Sequence, residues 1–275
     1  MLKVRSSRPV LPGFRLSLGI TLFWLSVIVL VPLSAVFAKS ATGGWDGFVA
    51  AALSERALAS YRLTFGAALL GAAINCVFGL IVAWVLVRYD FPGKRALGAA
   101  VDLPFALPTA VAGIALTTLY ADTGLLGRPL AALGLPVAYQ PAGVVLALTF
   151  IGLPFVVRTV EPVLAEVAHE TEEAATTLGA TRLQTMARVI FPTLLPALAT
   201  GFALAFARGA GEYGSVIFIA GNMPFRSEIA PLLIVTQLEE YDFAGAASIA
   251  VVMLLVSVAM LLVLNMLQHW QRRKG

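Results

Sequence analysis

Charge is what this 275-residue chain has least of: Asp, Glu, Lys and Arg make up 12 % of it, about half the share in ordinary globular proteins. A soluble domain of this size could not cover its surface with so few. Disorder is excluded as well, because 59 % of the residues are hydrophobic and the mean hydropathy is +0.90, and that much apolar surface has to be buried. One cysteine, Cys76, lies inside an apolar run, which excludes a disulfide framework and a cysteine metal site. Two histidines, His169 and His269, leave no ligand set for zinc or haem. The phosphate-binding pattern Gly-x-x-x-x-Gly-Lys-[Ser/Thr] is missing, so no ATP hydrolysis is expected from this chain. Neither a paired aspartate motif nor a serine–histidine set lies in an apolar run, which argues against an intramembrane enzyme. The net charge of +4 would hint at nucleic acid in a soluble protein. Here the better cause is the Lys and Arg excess of cytoplasmic loops, and no nucleic-acid partner is expected.

What the chain has is long apolar runs. A membrane-crossing helix needs about 20 mostly apolar residues to cover about 30 Å of hydrocarbon. Six runs qualify: Leu16–Ala38, Leu63–Val87, Ala96–Tyr120, Gly143–Val157, Leu194–Ile219 and Phe243–Leu267. The first is too long for the apolar region of a signal peptide and lacks a small-residue cleavage site, so it reads as a retained anchor. The third contains Asp102, Pro104 and Pro108, and the fifth contains Arg208 and Glu212. The first, second and sixth are the plain ones.

The predicted fold class is therefore an all-α integral membrane protein with six transmembrane helices. Loop charges set its orientation. Lys3, Arg5, Arg8, Arg15, Arg88, Lys94, Arg95, Arg158, Arg182, Arg188, Arg272, Arg273 and Lys274 fall on the side of the termini, thirteen in all. Lys39, Arg56, Arg62, Arg128 and Arg226, five, fall on the other. That asymmetry predicts both termini in the cytoplasm. The organisation is a basic tail over 1–15, an anchoring helix and periplasmic loop over 16–60, a membrane domain over 61–270 and a basic tail over 271–275. Gly221–Asp242 reads as a long polar periplasmic loop.

The cytoplasmic interval Glu166–Pro192 is long for a helix–helix connection in a bundle. Thr171 is placed to cap a helix whose first turn holds Glu172, Glu173 and Ala174, acids that suit the positive end of the helix dipole. Gly179 is placed to stop it. A second amphipathic stretch, Thr181–Ile190, returns the chain to the membrane and ends at Pro192. Two readings stand: a solvated charged loop, or a compact projection that fits a groove on a partner and transmits force.

A resemblance bears on that choice. Glu173-Ala-Ala-x-x-x-Gly179, followed by Val189-x-Phe-Pro192, resembles the "EAA" signature of ABC importer permeases, whose usual tail is Ile-x-Leu-Pro. Further segments are Arg62–Gly66, Val101–Gly113, Gly152–Arg158, Gly201–Arg208 and Gly211–Pro224. They resemble the T-type permease subunit of sulfate/thiosulfate importers, over about Tyr61–Trp270. The resemblance implies the type I ABC importer permease (MetI-like) fold. It also implies a coupling helix over 172–182, with ATPase docking through Glu172, Glu173, Ala174, Ala175, Gly179, Ala180 and Thr181. The implied partners are a W-type permease subunit in a heterodimer and two copies of a cytoplasmic ABC ATPase. A periplasmic sulfate/thiosulfate-binding protein would deliver the anion. ATP and Mg would sit on the ATPase, with no cofactor on this chain, and the location would be the bacterial inner membrane. Molybdate or tungstate, also tetrahedral dianions, remain alternatives to sulfate. A secondary anion transporter working alone is a further alternative, but it leaves the coupling signature without a role.

Ionisable groups at membrane depth are expensive, and each is a functional candidate. Arg208 and Glu212 are four residues apart and would share a helix face. They are read either as a structural ion pair or as groups lining a translocation pathway for a dianion. Asp102 is either a solvated interfacial carboxylate or a partner for Arg158 or Arg208. Pro104 and Pro108 remove helix donors next to Thr109, which suits a pathway-side bend or plain packing. Gly209, Gly211 and Gly214 permit close approach or local unwinding. Asn222, Met223 and Arg226, in the turn Gly221–Arg226, are candidates for contact with the binding protein. Glu239, Glu240 and Asp242 read as a solvated rim.

Overall fold

The computed structural model describes residues 13–167 and 169–272. Lys3, Arg5, Arg8, Arg273 and Lys274, and with them most of both basic tails, lie outside the described residues. The described chain is mostly helical, without strands. In order the helices are α1 (Phe14–Leu25), α2 (Val31–Ala41), α3 (Gly44–Ala52), α4 (Glu55–Arg88), α5 (Lys94–Ala106), α6 (Thr109–Tyr120) and α7 (Gly127–Ala132). They continue with α8 (Pro141–Glu166), α9 (His169–Thr177), α10 (Arg182–Thr185), α11 (Phe191–Ala210), α12 (Val216–Ile219), α13 (Ala230–Glu239) and α14 (Phe243–Arg272). Five helical stretches among the described residues are long and apolar enough to cross a membrane, and α5 with α6 makes a sixth crossing as a bent pair.

The core is the trio α4, α8 and α11. Water does not drive helices together in hydrocarbon, so close packing must, and the sequence supplies small residues for it. A Cβ on Gly79 would lie 2.8 Å from Val156 Cγ1, and one on Gly201 would lie 2.9 Å from the Val156 Cα. Gly152 leaves room for the amide of Asn75, which is fully buried where the three helices meet. The N-terminal span Leu16–Ala41 buries none of its most apolar stretch, and α2 packs on α14. That is what a lipid-compatible anchor requires.

Three expectations need correction. The third crossing is not continuous over Ala96–Tyr120: α5 and α6 meet at 113° across Leu107 and Pro108. Pro108 has no N–H to continue the ladder and forces its predecessor into extended backbone, and Leu107 has ψ 137°. The fifth span begins and ends earlier in the chain than expected. It runs Arg182–Ala210, passing Pro192 by a π-helical turn over Met186–Ile190, so the amphipathic stretch does not end at Pro192. Past Ala210 the backbone turns, and α12 is a separate short helix. Gly221–Asp242 is not simply polar, since it contains α13, whose Ala230, Leu232 and Leu233 are buried.

The glycine contacts yield a test. Gly201→Ala forces a carbon against the Val156 backbone and is expected to cost about 1–3 kcal/mol. Gly66→Ala, with nothing within 4 Å of the added carbon, should change stability by less than about 1 kcal/mol. Thermal unfolding of the detergent-purified chain measures both.

Candidate functional site

Two regions gather the candidate residues. The first is a helical hairpin between α8 and α11. Its helix α9 begins at His169, so Thr171 lies inside the helix rather than capping it. Gly179 ends it as expected, at φ +83°. The Ala180 N–H donates to the Ala175 carbonyl at 3.0 Å and the Gly179 N–H to the Thr176 carbonyl at 2.9 Å. This double closure needs a left-handed residue at the glycine position. Thr181 then opens the next helix with a reciprocal cap. Its hydroxyl accepts from the Gln184 N–H at 3.3 Å, and the Gln184 side chain accepts from the Thr181 N–H at 2.8 Å. The turn is therefore fixed on both sides, and α10 continues through the π-helical turn into α11 as one span.

The hairpin presents an unusual surface. Leu178 is 88 % exposed and Leu183 78 %, side by side around the glycine turn and outside any apolar run. Glu173 and Ala174 are exposed beside them, while Ala175 and Ala180 are half-buried. Glu172 is turned back to the membrane body, where its carboxylate meets the Arg88 guanidinium at 2.5 Å. Nearby, the Lys94 ammonium donates to Asp90 at 2.8 Å and holds that carboxyl below its ordinary range.

The second region is where the break in the third crossing meets the end of α11. Arg208 occupies the last turn of α11, and Glu212 follows the helix end instead of sharing its face. The two still pair, at 2.5 Å. Glu212 is 2 % exposed and its other oxygen accepts from the Ser215 N–H at 2.9 Å and the Ser215 hydroxyl at 3.0 Å. Its carboxylate thus substitutes for the helix hydrogen bonds that the turn lacks. Thr109 packs against Gly214, and Gly113 lies so close to Ser215 that an added Cβ would be 2.9 Å from its Cα. The start of α6 at Thr109 and Gly113 is thus seated on the turn 211–215 that the Arg208–Glu212 pair holds. Asp102 and Pro104 do not join them: Asp102 pairs with Arg158 of α8, whose guanidinium also donates to Glu161 at 2.6 Å and to the Gly98 carbonyl at 3.2 Å.

On the opposite side of the membrane from the hairpin, Asn222, Met223 and Arg226 are exposed. The Met223 carbonyl accepts from the N–H groups of Arg226, Ser227 and Glu228 at 2.9–3.1 Å. Behind this turn Glu228 is buried and takes a two-pronged bond from Arg56 of α4, at 2.8 and 2.7 Å. Neither Arg56 nor Arg88 could be picked out as more than a loop charge in the sequence, since their partners are 172 and 84 residues away. Among the described residues no cluster of three or more His, Cys, Asp or Glu could hold a metal ion.

Residues 75–274 match the family described as binding-protein-dependent transport system inner membrane component. The chain belongs to this family. Among relatives of the family, it is 50 % identical over 254 residues to the sulfate transport system permease protein CysT of Synechocystis sp., covering 92 % of this chain and 89 % of that one. It is 47 % identical over 263 residues to the protein of the same name from Escherichia coli, covering 96 % and 95 %. Its fold resembles a chain of a bacterial alginate ABC transporter, with TM-score 0.76 at 17 % identity over 94 % of both chains. A chain of the MetNI methionine ABC transporter gives 0.59 at 17 % identity over 80 % of this chain and 96 % of that one. The all-α permease fold of this family is thus the fold of this chain, which is a membrane permease rather than an enzyme.

For this permease the buried carboxylate at the α11 end makes a sharp comparison possible. Glu212→Ala leaves the Ser215 N–H and Arg208 without their acceptor and should cost about 3 kcal/mol or more. Arg208→Ala leaves the buried Glu212 charge without a counter-ion, whereas the arginine stranded by Glu212→Ala is 36 % exposed, so Arg208→Ala should cost at least as much. Folded yield and melting temperature of the two variants, measured side by side, check the order.

Proposed function

We propose that this chain is a membrane-spanning permease subunit of an ATP-driven importer for sulfate, and for thiosulfate as well, in a bacterial inner membrane. The observation that carries the reading is the hairpin α9–Gly179–α10. It is a fixed projection with exposed leucines, continuous with a transmembrane span, in a chain of the binding-protein-dependent family. Such a projection suits docking on a separate ATPase through Glu173, Ala174, Leu178 and Leu183, with the helix of 172–182 as the lever. The choice of sulfate rests on relatives named for sulfate transport at 47–50 % identity over nearly the whole chain.

In this reading both termini and the hairpin face the cytoplasm, where the thirteen basic loop residues place them. A pair of ATPases closes beneath the chain and a W-type permease subunit, and the hairpins turn the spans between outward- and inward-facing states. The sulfate-binding protein docks on the outer side, over Asn222, Met223 and Arg226. The dianion passes the junction of the two chain breaks. There Arg208 offers a positive charge that Glu212 moderates, so that the anion is attracted without being held. Thr109 and the half-wound backbone at 211–215 add neutral donors.

Radiolabelled sulfate uptake tests this in cells lacking the chain and in cells with it restored. Uptake should depend on the chain and be competed by thiosulfate more strongly than by molybdate. Uptake that is undiminished without the chain would overturn the assignment. Removing residues 172–182 should abolish co-purification of the ATPase, and its retention would contradict the docking surface.

A further inference from the structure

The helix α4 is distinguished by what holds its two ends. It has 34 residues, about 51 Å at 1.5 Å per residue, and along its length it packs against α8 and α11. At its outer end Arg56 grips Glu228 with two hydrogen bonds, and Glu228 closes the turn that displays Asn222, Met223 and Arg226. About two turns further along, the Thr64 hydroxyl accepts the Ala230 N–H at 2.8 Å, so the start of α13 is fixed on the same helix. At the inner end Arg88, the last residue of the helix, meets Glu172 of the docking helix at 2.5 Å. Its guanidinium lies 5.6 Å from the Trp84 ring and reaches the Val167 carbonyl at 3.4 Å. The inner pair is well shielded, with the Arg88 side chain 9 % exposed and that of Glu172 28 %.

We propose that α4 is the rod through which the outer turn and the docking helix sense one another, clamped at its ends by Arg56–Glu228 and Arg88–Glu172. The inference rests on the docking reading above and assigns four positioning residues to it. Other ties are less suited. The helix α9 packs mainly on α10, which moves with it, and the span α11 ends in a turn instead of reaching the outer loop as a helix. Arg56 and Arg88 carry fixed charges on a helix that is stiff between them, and an arginine fork transmits orientation as well as position. Docking of a protein on the outer turn would displace Glu228, shift α4 and alter the angle of α9. ATPase closure would run the same path in reverse, as linkage requires.

The test uses the whole transporter in proteoliposomes with its binding protein and sulfate. ATP hydrolysis is read with and without the binding protein, together with sulfate moved per ATP. Arg88→Gln, which breaks the inner pair and leaves the docking helix unaltered, and Arg56→Lys, which keeps the charge but loses the fork, should both leave the ATPase co-purifying. Each should cut stimulation by the binding protein about fivefold or more. The exchange Arg88→Glu with Glu172→Arg should restore at least half of what Arg88→Glu loses. Stimulation and stoichiometry unchanged in Arg88→Gln and Arg56→Lys would overturn the rod, as would loss at one end only. If the ATPase still binds and couples after removal of residues 172–182, the docking reading itself has failed. If that removal releases the ATPase while the clamp variants stay coupled, only the rod falls.

Discussion

Pairs of arginine and carboxylate tie the irregular segments of this molecule to its long helices, and the rest of the structure depends on them. A lone buried charge is several kcal/mol dearer than a paired one, so each pair fixes two segments against each other. Among the described residues Arg56 ties the turn at 222–228 to α4, Arg88 ties α9 to α4, and Arg158 ties α5 to α8. Arg208 ties the turn after α11 to the helix that precedes it. In each case the partner lies on an element that is not a plain spanning helix. The charges mark the places where the chain departs from a simple bundle, and they hold those departures in shape.

Between these ties the core combines close backbone approach with interlocked side chains. Gly79, Gly152 and Gly201 bring α4, α8 and α11 within backbone distance, and Asn75 lies buried at their meeting point. Phe206, Leu164 and Leu194 are fully buried in the same core, and packing this tight suits helices that move as near-rigid bodies. The bent third crossing and the turn at 211–215 meet at one level. The least regular backbone is therefore concentrated at this junction, and irregular backbone within a membrane is tolerated where protein or water satisfies it.

The plain spans were legible in the sequence because hydrocarbon demands length and apolarity and little else. The stop at Gly179 was legible too, since a left-handed residue at a helix end favours glycine, while the pairing of Arg208 with Glu212 four residues on stood in the sequence as one of two readings. The rest depended on information that neighbours in sequence do not carry. The prolines announced a break at Leu107 and Pro108, but not its angle of 113°. The end of α11 at Ala210 is decided by Glu212 accepting from Ser215, and apolarity continues past it to Ile219 without a signal. Arg88 and Arg56 stood in the charge tally as loop residues, and only the folded chain brings Glu172 and Glu228 to them. The short apolar helix α13 was hidden because its ten residues are too few to cross and lie between polar turns.

The most direct measurement is one-sided labelling of single cysteines in a Cys76→Ala background. Leu178→Cys sits on the hairpin turn and Phe225→Cys on the outer turn, both in exposed positions. A membrane-impermeant maleimide added to intact spheroplasts should label position 225 and leave position 178 unlabelled until the membrane is opened. Labelling of position 178 from outside, or of both positions from the same side, would contradict a docking hairpin and an outer turn joined across the membrane by one rod.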